Sequence, residues 1–351
     1  MEEHKRLVEL IRPQLGYHLA RVNLIAAFVL ALVRVRTVNL TQVAAGLNPN
    51  VAPSSNYRRL QRFFEGFEVC QLKLAKWVLS LLEADESGWI VALDRTEWEF
   101  GRQKLNVMML GVVYQGLTVP LVWRVLDKDG HSHTDERQAL MKQLLLVLPA
   151  VHIRCLVADR EFIGQRWWRW LKLREVKFCI RIKDNARYTQ GHSGKVKHLF
   201  AHLSMGQYEQ AQKTYTIYGH RVQLVGMRLK DEWLILATNT DPSQALAAYK
   251  QRWCIECLFA AMKTRGFNFE DTHLTHPERI EKLIALISLA LVWCVLIGEW
   301  LAEQKELKIK KHGRKPISHF RRGLDFLRQV LFFLPDKRRD LDNCFSLLSC
   351  T

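Results

Sequence analysis

The 351-residue chain holds 52 Lys and Arg against 35 Asp and Glu, a formal net charge of +17. With 48% hydrophobic and 25% charged residues it has the material for a packed core, which excludes global disorder. The length suits two or three domains, and a folded, strongly basic surface attracts polyanions, nucleic acid first and anionic membrane second.

Residues 1–85 read as helical, with apolar repeats in "LVELI", "LIAAFVLALV" and "LKLAKWVLSLLE". The opening segment mixes charges into its apolar positions, unlike a secretory leader. "TQVAAGLN" and "VAPSSNYRRLQRFFEGF" predict two short helices across a Pro-containing turn, with Ser55 capping the second. That second helix carries Arg58, Arg59 and Arg62 beside Phe63 and Phe64, as a helix-turn-helix presents basic residues to DNA. An ordinary helical bundle would show the same pattern.

From Gly88 the strands "WIVALD", "NVMMLGVVYQG" and "TVPLVWRVL" follow in quick succession. Next come the helix "HTDERQALMKQLLLVLP", the strand "IRCLVAD", the Trp-rich helix "QRWWRWLKLRE" and the strand "KFCIRIK". This order predicts an α/β fold over 86–185, a mixed sheet flanked by helices. Residues 186–241 stay strand-like, punctuated by Gly206, Gly219 and Gly226, and read as a β-rich insertion. Residues 242–304 begin with the helix "SQALAAYKQRWCIECLFAAMKTRG" and continue into a long apolar helix beyond Pro277. Its longest uncharged run, 283–298, falls short of the roughly 18 to 20 residues that span a bilayer, so it reads as buried. The tail, 305–351, is basic in "KELKIKKHGRKPISHFRRGLDFLRQ", a density that suits phosphate contacts, although a solvated helix would also carry it.

Eight cysteines lack the spacing of a disulfide framework and suit a reducing cytoplasm. Cys254 and Cys257 form a C-x-x-C that reads as two small apolar side chains rather than a zinc or redox site. His131 and His133 are an isolated H-x-H in a turn. Neither a Walker loop nor a G-x-G-x-x-G occurs, which disfavours an ATP-driven or dinucleotide enzyme.

Asp94 ends the apolar run 89–93, and Asp159 ends the run 153–158. A carboxylate at the end of a buried strand is costly unless paired, and two such strands in one sheet would bring their acids together. Singly, each is as well explained by a turn. On the later helix Tyr249, Arg252, Glu256 and Lys263 recur at offsets of 0, 3, 7 and 14 residues. At about 100° per residue they share an arc of roughly 60°, opposite the apolar Cys254, Ile255, Leu258, Ala261 and Met262.

This spacing, Y-x2-R-x3-E-x6-K, resembles the signature helix of DDE transposases of the insertion sequence four family. "LDRT" around Asp94 and "ADREFIG" around Asp159 resemble that family's first and second aspartate blocks, and a β-rich insertion before the Glu is likewise a family trait. The resemblance runs from about Gly88 to the "KKHGRK" tail; in the N-terminal region only the arrangement matches.

The resemblance implies an RNase H-like core interrupted by the β-rich insertion, with an N-terminal helical DNA-binding region and a helical basic C-terminal tail. Asp94, Asp159 and Glu256 would be catalytic and hold two Mg²⁺ ions, or Mn²⁺ in their place, with Asp94 shared, for in-line phosphoryl displacement. Tyr249, Arg252 and Lys263 would contact DNA near the transposon end, and Trp253 or Trp233 would stack on a displaced base, Trp253 lying nearer the functional face. Glu97, Asp127, Asp129 and Glu161 need not bind metal, with Glu161 in reserve for Asp159. The implied function is cut-and-paste transposition on terminal inverted repeats, by a homodimer that pairs two ends with target DNA and engages no membrane. The competing readings are a metal-dependent nuclease on the same core without strand transfer, and a DNA-binding regulator whose acids are structural.

Overall fold

Five helices precede the first strand: α1 (Glu2–Leu15), α2 (Leu19–Val35), α3 (Leu40–Ala45), α4 (Pro53–Gly66) and α5 (Gln71–Ser80). The computed structural model describes residues 2–48, 50–100, 103–190, 192–305, 316–333 and 337–349, so "KKHGRK" and Cys350 lie outside the described residues. α2 is apolar nearly all round and buried along most of its length, which places it inside the bundle. α4 begins two residues before Ser55, which therefore sits within the first turn and does not cap it. Ala52 is the N-cap, and Pro53 occupies the first helical position, where its missing N–H costs no intrahelical hydrogen bond. The buried Asn56 secures the α3–α4 turn instead, with Nδ2 3.2 Å from the carbonyls of Ala44 and Asn48.

β1 (Trp89–Phe100), β2 (Gln103–Tyr114) and β3 (Leu117–Leu126) form an antiparallel meander. β3 is buried on both faces, which is why it reads as an unbroken apolar run. α6 (Thr134–Leu145) leads to β4 (Ile153–Ala158), and α7 (Gln165–Leu173) leads to β5 (Phe178–Ile182). β4 lies parallel to both β1 and β5.

The segment 186–241 supplies β6 (Arg187–Gln190), β7 (His192–Lys195), β8 (Tyr208–Gln210), β9 (Tyr215–Ile217), β10 (His220–Arg228) and β11 (Trp233–Thr238). β11 pairs antiparallel with β5, so these strands continue the central sheet. Its order is β3-β2-β1-β4-β5-β11-β10-β9-β6-β7, with β8 beside β10.

The next helix is not continuous. α8 (Ala245–Lys250) and α9 (Trp253–Met262) are separated at Gln251 and Arg252, where the Arg252 N–H returns to Tyr249 O and the Ile255 N–H to Arg252 O. This is the tighter i→i+3 pattern. α9 buries Ile255, Leu258, Phe259, Ala261 and Met262 and lies over β1 and β3.

α10 (Pro277–Gln304) is long and apolar enough to cross a membrane, yet 94% of its most apolar window is buried inside the protein. It packs on β3, α2 and α11 (His319–Phe332), and α12 (Arg338–Ser346) closes the described chain. The α10–α11 crossing depends on glycine. A Cβ on Gly323 would lie 1.8 Å from Cys294 O, and one on Gly298 would lie 1.9 Å from His319 O.

Candidate active site

Strand register decides where the two aspartates go. Leu93 pairs with Ala158 in the last rung between β1 and β4, so Asp94 and Asp159 follow side by side at the carboxyl end of β4. That is the edge at which parallel strands of α/β sheets carry their ligands. β4 stops there, but β1 does not. The sequence places Asp94 at a strand end, whereas β1 continues to Phe100 because β2 goes on pairing with it down to Gln103. Residues 95–100 thus carry the β1–β2 pair past the acids.

Asp94 has a side chain only 14% exposed. Its Oδ1 accepts the Arg95 N–H at 2.8 Å, and its Oδ2 accepts Arg252 Nη1 at 2.7 Å. Its pKa is pushed up to about 7, by burial above all and then by nearby Glu256 and Asp159, against the pull of the Arg95 N–H and the Arg252 charge.

Arg252 reaches in from the turn before α9, and the same Nη1 lies 3.3 Å from Glu256, one helical turn on. Burial opposes its charge, but Tyr249, Asp94, Asp159 and Glu256 together hold it above the ordinary arginine range. The Tyr249 hydroxyl donates to Asp159 Oδ1 at 3.4 Å, and burial, then Asp159, pushes that phenol upward. Asp94, Asp159, Tyr249, Arg252 and Glu256 therefore meet at one point.

Lys263 stands apart from them. It ends α9, with Nζ 2.8 Å from Glu270 and 3.4 Å from Glu97 O, over the Trp98 ring. Seven residues beyond Glu256 on the same helix, it lies about 10 Å farther along the axis, and the turn at 251–252 breaks the straight-helix spacing back to Tyr249. Glu97 is three residues beyond Asp94, about 10 Å along the strand.

Trp253, next to Arg252, is 66% exposed. Trp233, on β11, is partly buried under the Arg228 guanidinium, 4.6 Å from the ring centre. Arg58, Arg59 and Arg62 are exposed on α4, while Phe63 and Phe64 are buried.

One set of residues escaped the sequence reading. Arg95 Nε donates to Glu161 at 3.1 Å, and its Nη1 donates to Glu97 at 2.7 Å and Asn106 at 3.0 Å. Glu161 also accepts from the Ser132 N–H and hydroxyl and lies 3.3 Å from His131 Nδ1. Burial raises its pKa, but Arg95 and the Ser132 N–H outweigh burial and keep it below the usual range. Glu161 is thus committed to holding the 127–133 loop against β1. The available signal was alternation: neighbours on a strand point to opposite faces, so Arg95 faces away from Asp94. Asp129 pairs with Lys104 at 3.3 Å. Cys254 and Cys257 are free thiols, and burial pushes Cys254 up to about 11, so it stays protonated at neutral pH.

Every acid at the site offers carboxylate oxygen, the donor that suits a hard divalent cation. Their mutual repulsion, visible at Asp94, is what such a cation relieves. Among the described residues no three His, Cys, Asp or Glu side chains already stand together as a metal cluster. Arg252 lies between Asp94 and Glu256 instead. The donor chemistry fits a divalent ion, and a guanidinium supplies the compensating charge.

Asp94 on β1, Asp159 directly after β4 and Glu256 on α9 gather at the carboxyl edge of a mixed sheet, a set of oxygen donors of the kind that hold divalent cations. The family model described as the transposase DDE domain matches residues 85–293, a span that contains all three acids. The chain belongs to that family, whose members are transposase- or nuclease-type enzymes acting on DNA and generally dependent on divalent metal. No curated protein matches the sequence.

Proposed function

We propose that the protein is a cut-and-paste DNA transposase of the insertion sequence four kind, cleaving at the terminal inverted repeats of its own element and joining those ends to target DNA. The observation that carries this reading is the meeting of Asp94, Asp159 and Glu256 with Arg252 and Tyr249 at one sheet edge. The strand order β3-β2-β1-β4-β5 supports an RNase H-like core.

Asp94, Asp159 and Glu256 would hold two Mg²⁺ or Mn²⁺ ions, which supply charge stabilisation for attack on phosphorus by water or a DNA 3′-hydroxyl. The chain's own groups do the rest. Arg252 is a fork of donors matched to phosphate oxygens, poised where the scissile strand meets the acids. Tyr249 orients Asp159 through its hydroxyl. Trp253 presents an open indole face on which a base displaced from the duplex stacks. Lys263, Arg58, Arg59 and Arg62 hold the DNA backbone. Two ends must be paired, so the active form is a homodimer on DNA, within a prokaryotic cytoplasm.

Glu256→Gln tests the reading: the variant should bind the ends but no longer nick them in Mg²⁺, and normal nicking would refute the assignment. Offering precleaved ends and a target plasmid separates a transposase from a nuclease, because only the former joins strands. Binding without cutting under any metal condition would favour a regulator.

A further inference from the structure

Away from the acids, a cleft of about 650 Å³ separates α4 from the segment 273–279 that leads into α10. Arg58 and Arg62, one helical turn apart, line one wall with Tyr57, and His273 and Arg279 line the other. The walls are pinned together. Lys282 Nζ donates to Phe64 O at 2.8 Å, and Arg279 pairs with Glu65 at 3.2 Å. Glu65 answers Arg279, but among the described residues no carboxylate pairs with Arg58 or Arg62. The cleft therefore keeps an excess of positive charge, which suits a phosphate backbone better than an apolar ligand.

β1 connects this cleft to the catalytic edge. Its last residue, Phe100, stacks on His273 with ring centres 5.1 Å apart. Phe100 lies six residues beyond Asp94. At about 3.3 Å per residue that is about 20 Å. The same distance is the rise of about six base pairs at about 3.4 Å each. The β1–β2 extension thus works as a spacer between two places where DNA can be held.

We infer that this cleft seats the backbone of the DNA duplex about six base pairs from the bond cut at Asp94, with Arg279 and His273 as contacts facing Arg58 and Arg62. The inference rests on the DNA-end reading proposed above. It adds a second wall to the α4 arginines and a distance from the cut.

The test uses the full-length protein and a duplex carrying the element's end. Binding is measured across a salt series for the wild type, Arg58→Gln, Arg62→Gln and Arg279→Gln. Lys177→Gln serves as a one-charge control, because Lys177 is exposed just before β5, at the edge of the sheet opposite the acids. Each cleft substitution should reduce the slope of log K against log salt by about 0.9, the value of one lost phosphate contact, while the control keeps the wild-type slope. Phosphate ethylation about six base pairs from the cut should interfere with wild-type binding, and that interference should fade in the three variants. Because Arg279→Gln also breaks an ion pair, Glu65→Gln breaks the same pair from the α4 side without removing a cation and should tighten binding. Unchanged slopes with interference confined elsewhere would overturn the cleft and leave the cleavage reading standing. A wild type that neither binds nor cuts the end would overturn both.

Discussion

Replacing Asp94 with Asn should stabilise the metal-free protein at pH 8. The carboxyl's pKa stands at about 7 in the folded chain against an ordinary value of 3.8. At about 1.4 kcal/mol per pH unit, that difference corresponds to about 4 kcal/mol. An acid with a raised folded pKa binds its proton more tightly in the folded state. Its contribution to stability is therefore full below the unfolded value and is lost as pH climbs from about 4 through about 7. Asparagine cannot ionise, so it escapes that loss, although Arg252 then keeps only Glu256 as its close ion-pair partner, which offsets part of the gain. Denaturant unfolding in the presence of a chelator, at pH 4.5 and pH 8, measures the effect. Other acids titrate in both proteins, so the difference between wild type and variant isolates Asp94. The expected gap is small at pH 4.5 and about 2–4 kcal/mol in favour of the variant at pH 8. Parallel stabilities at the two pH values would refute the claim that burial and neighbouring carboxylates crowd Asp94.

Three other perturbations test the rest of the site and fold. Arg252→Gln removes the guanidinium that bridges Asp94 and Glu256, so it should destabilise the metal-free protein by about 3 kcal/mol yet tighten Mn²⁺ binding in calorimetry; unchanged or weaker affinity would count against Arg252 as the internal counter-charge. Gly323→Ala puts a methyl where Cys294 O already lies, so it should lower stability by about 3 kcal/mol or more in thermal melts, and a melting curve like the wild type's would contradict the α10–α11 crossing. Glu161→Gln leaves Arg95 without its main partner. Because the Glu161 pKa is lowered on folding, its stabilisation is full above the ordinary 4.5 and is lost as pH falls through the lowered folded value, so the variant should lose about 1–3 kcal/mol at pH 7 and less at pH 3. An equal loss at both pH values would rule out the charge-assisted role.

What was legible in the sequence is what local pattern encodes. β3 reads as a strand because both its faces are buried, and the alternation of β4, α7 and β5 shows in apolar runs that end in charge or turn. The aspartates stood out because an apolar run that stops on a carboxylate breaks its own pattern. The remainder depends on register and distance. Residues 95–100 of β1 alternate the charged Arg95, Glu97 and Glu99 with Thr96, Trp98 and Phe100, so they gave no apolar run, and pairing with β2 makes them strand. No glycine or proline marks the break between α8 and α9, which takes Tyr249 and Glu256 off one straight helix. The bond from Arg252 to Asp94 spans 158 positions, and the one from Arg95 to Glu161 spans 66, beyond any spacing rule. The pairing of β11 with β5, which ties the 186–241 strands into the central sheet, is equally a product of the whole fold.

The most direct measurement mixes the purified protein with a duplex bearing its own terminal inverted repeat, a target plasmid and Mg²⁺, and follows both cleavage and joining. The wild type should nick at the edge of the repeat and join the freed 3′ ends to the plasmid. Asp94→Asn, Asp159→Asn and Glu256→Gln should each retain the duplex and yield neither product. Undiminished cleavage by any one of the three variants would contradict the assignment of these carboxylates as the catalytic set.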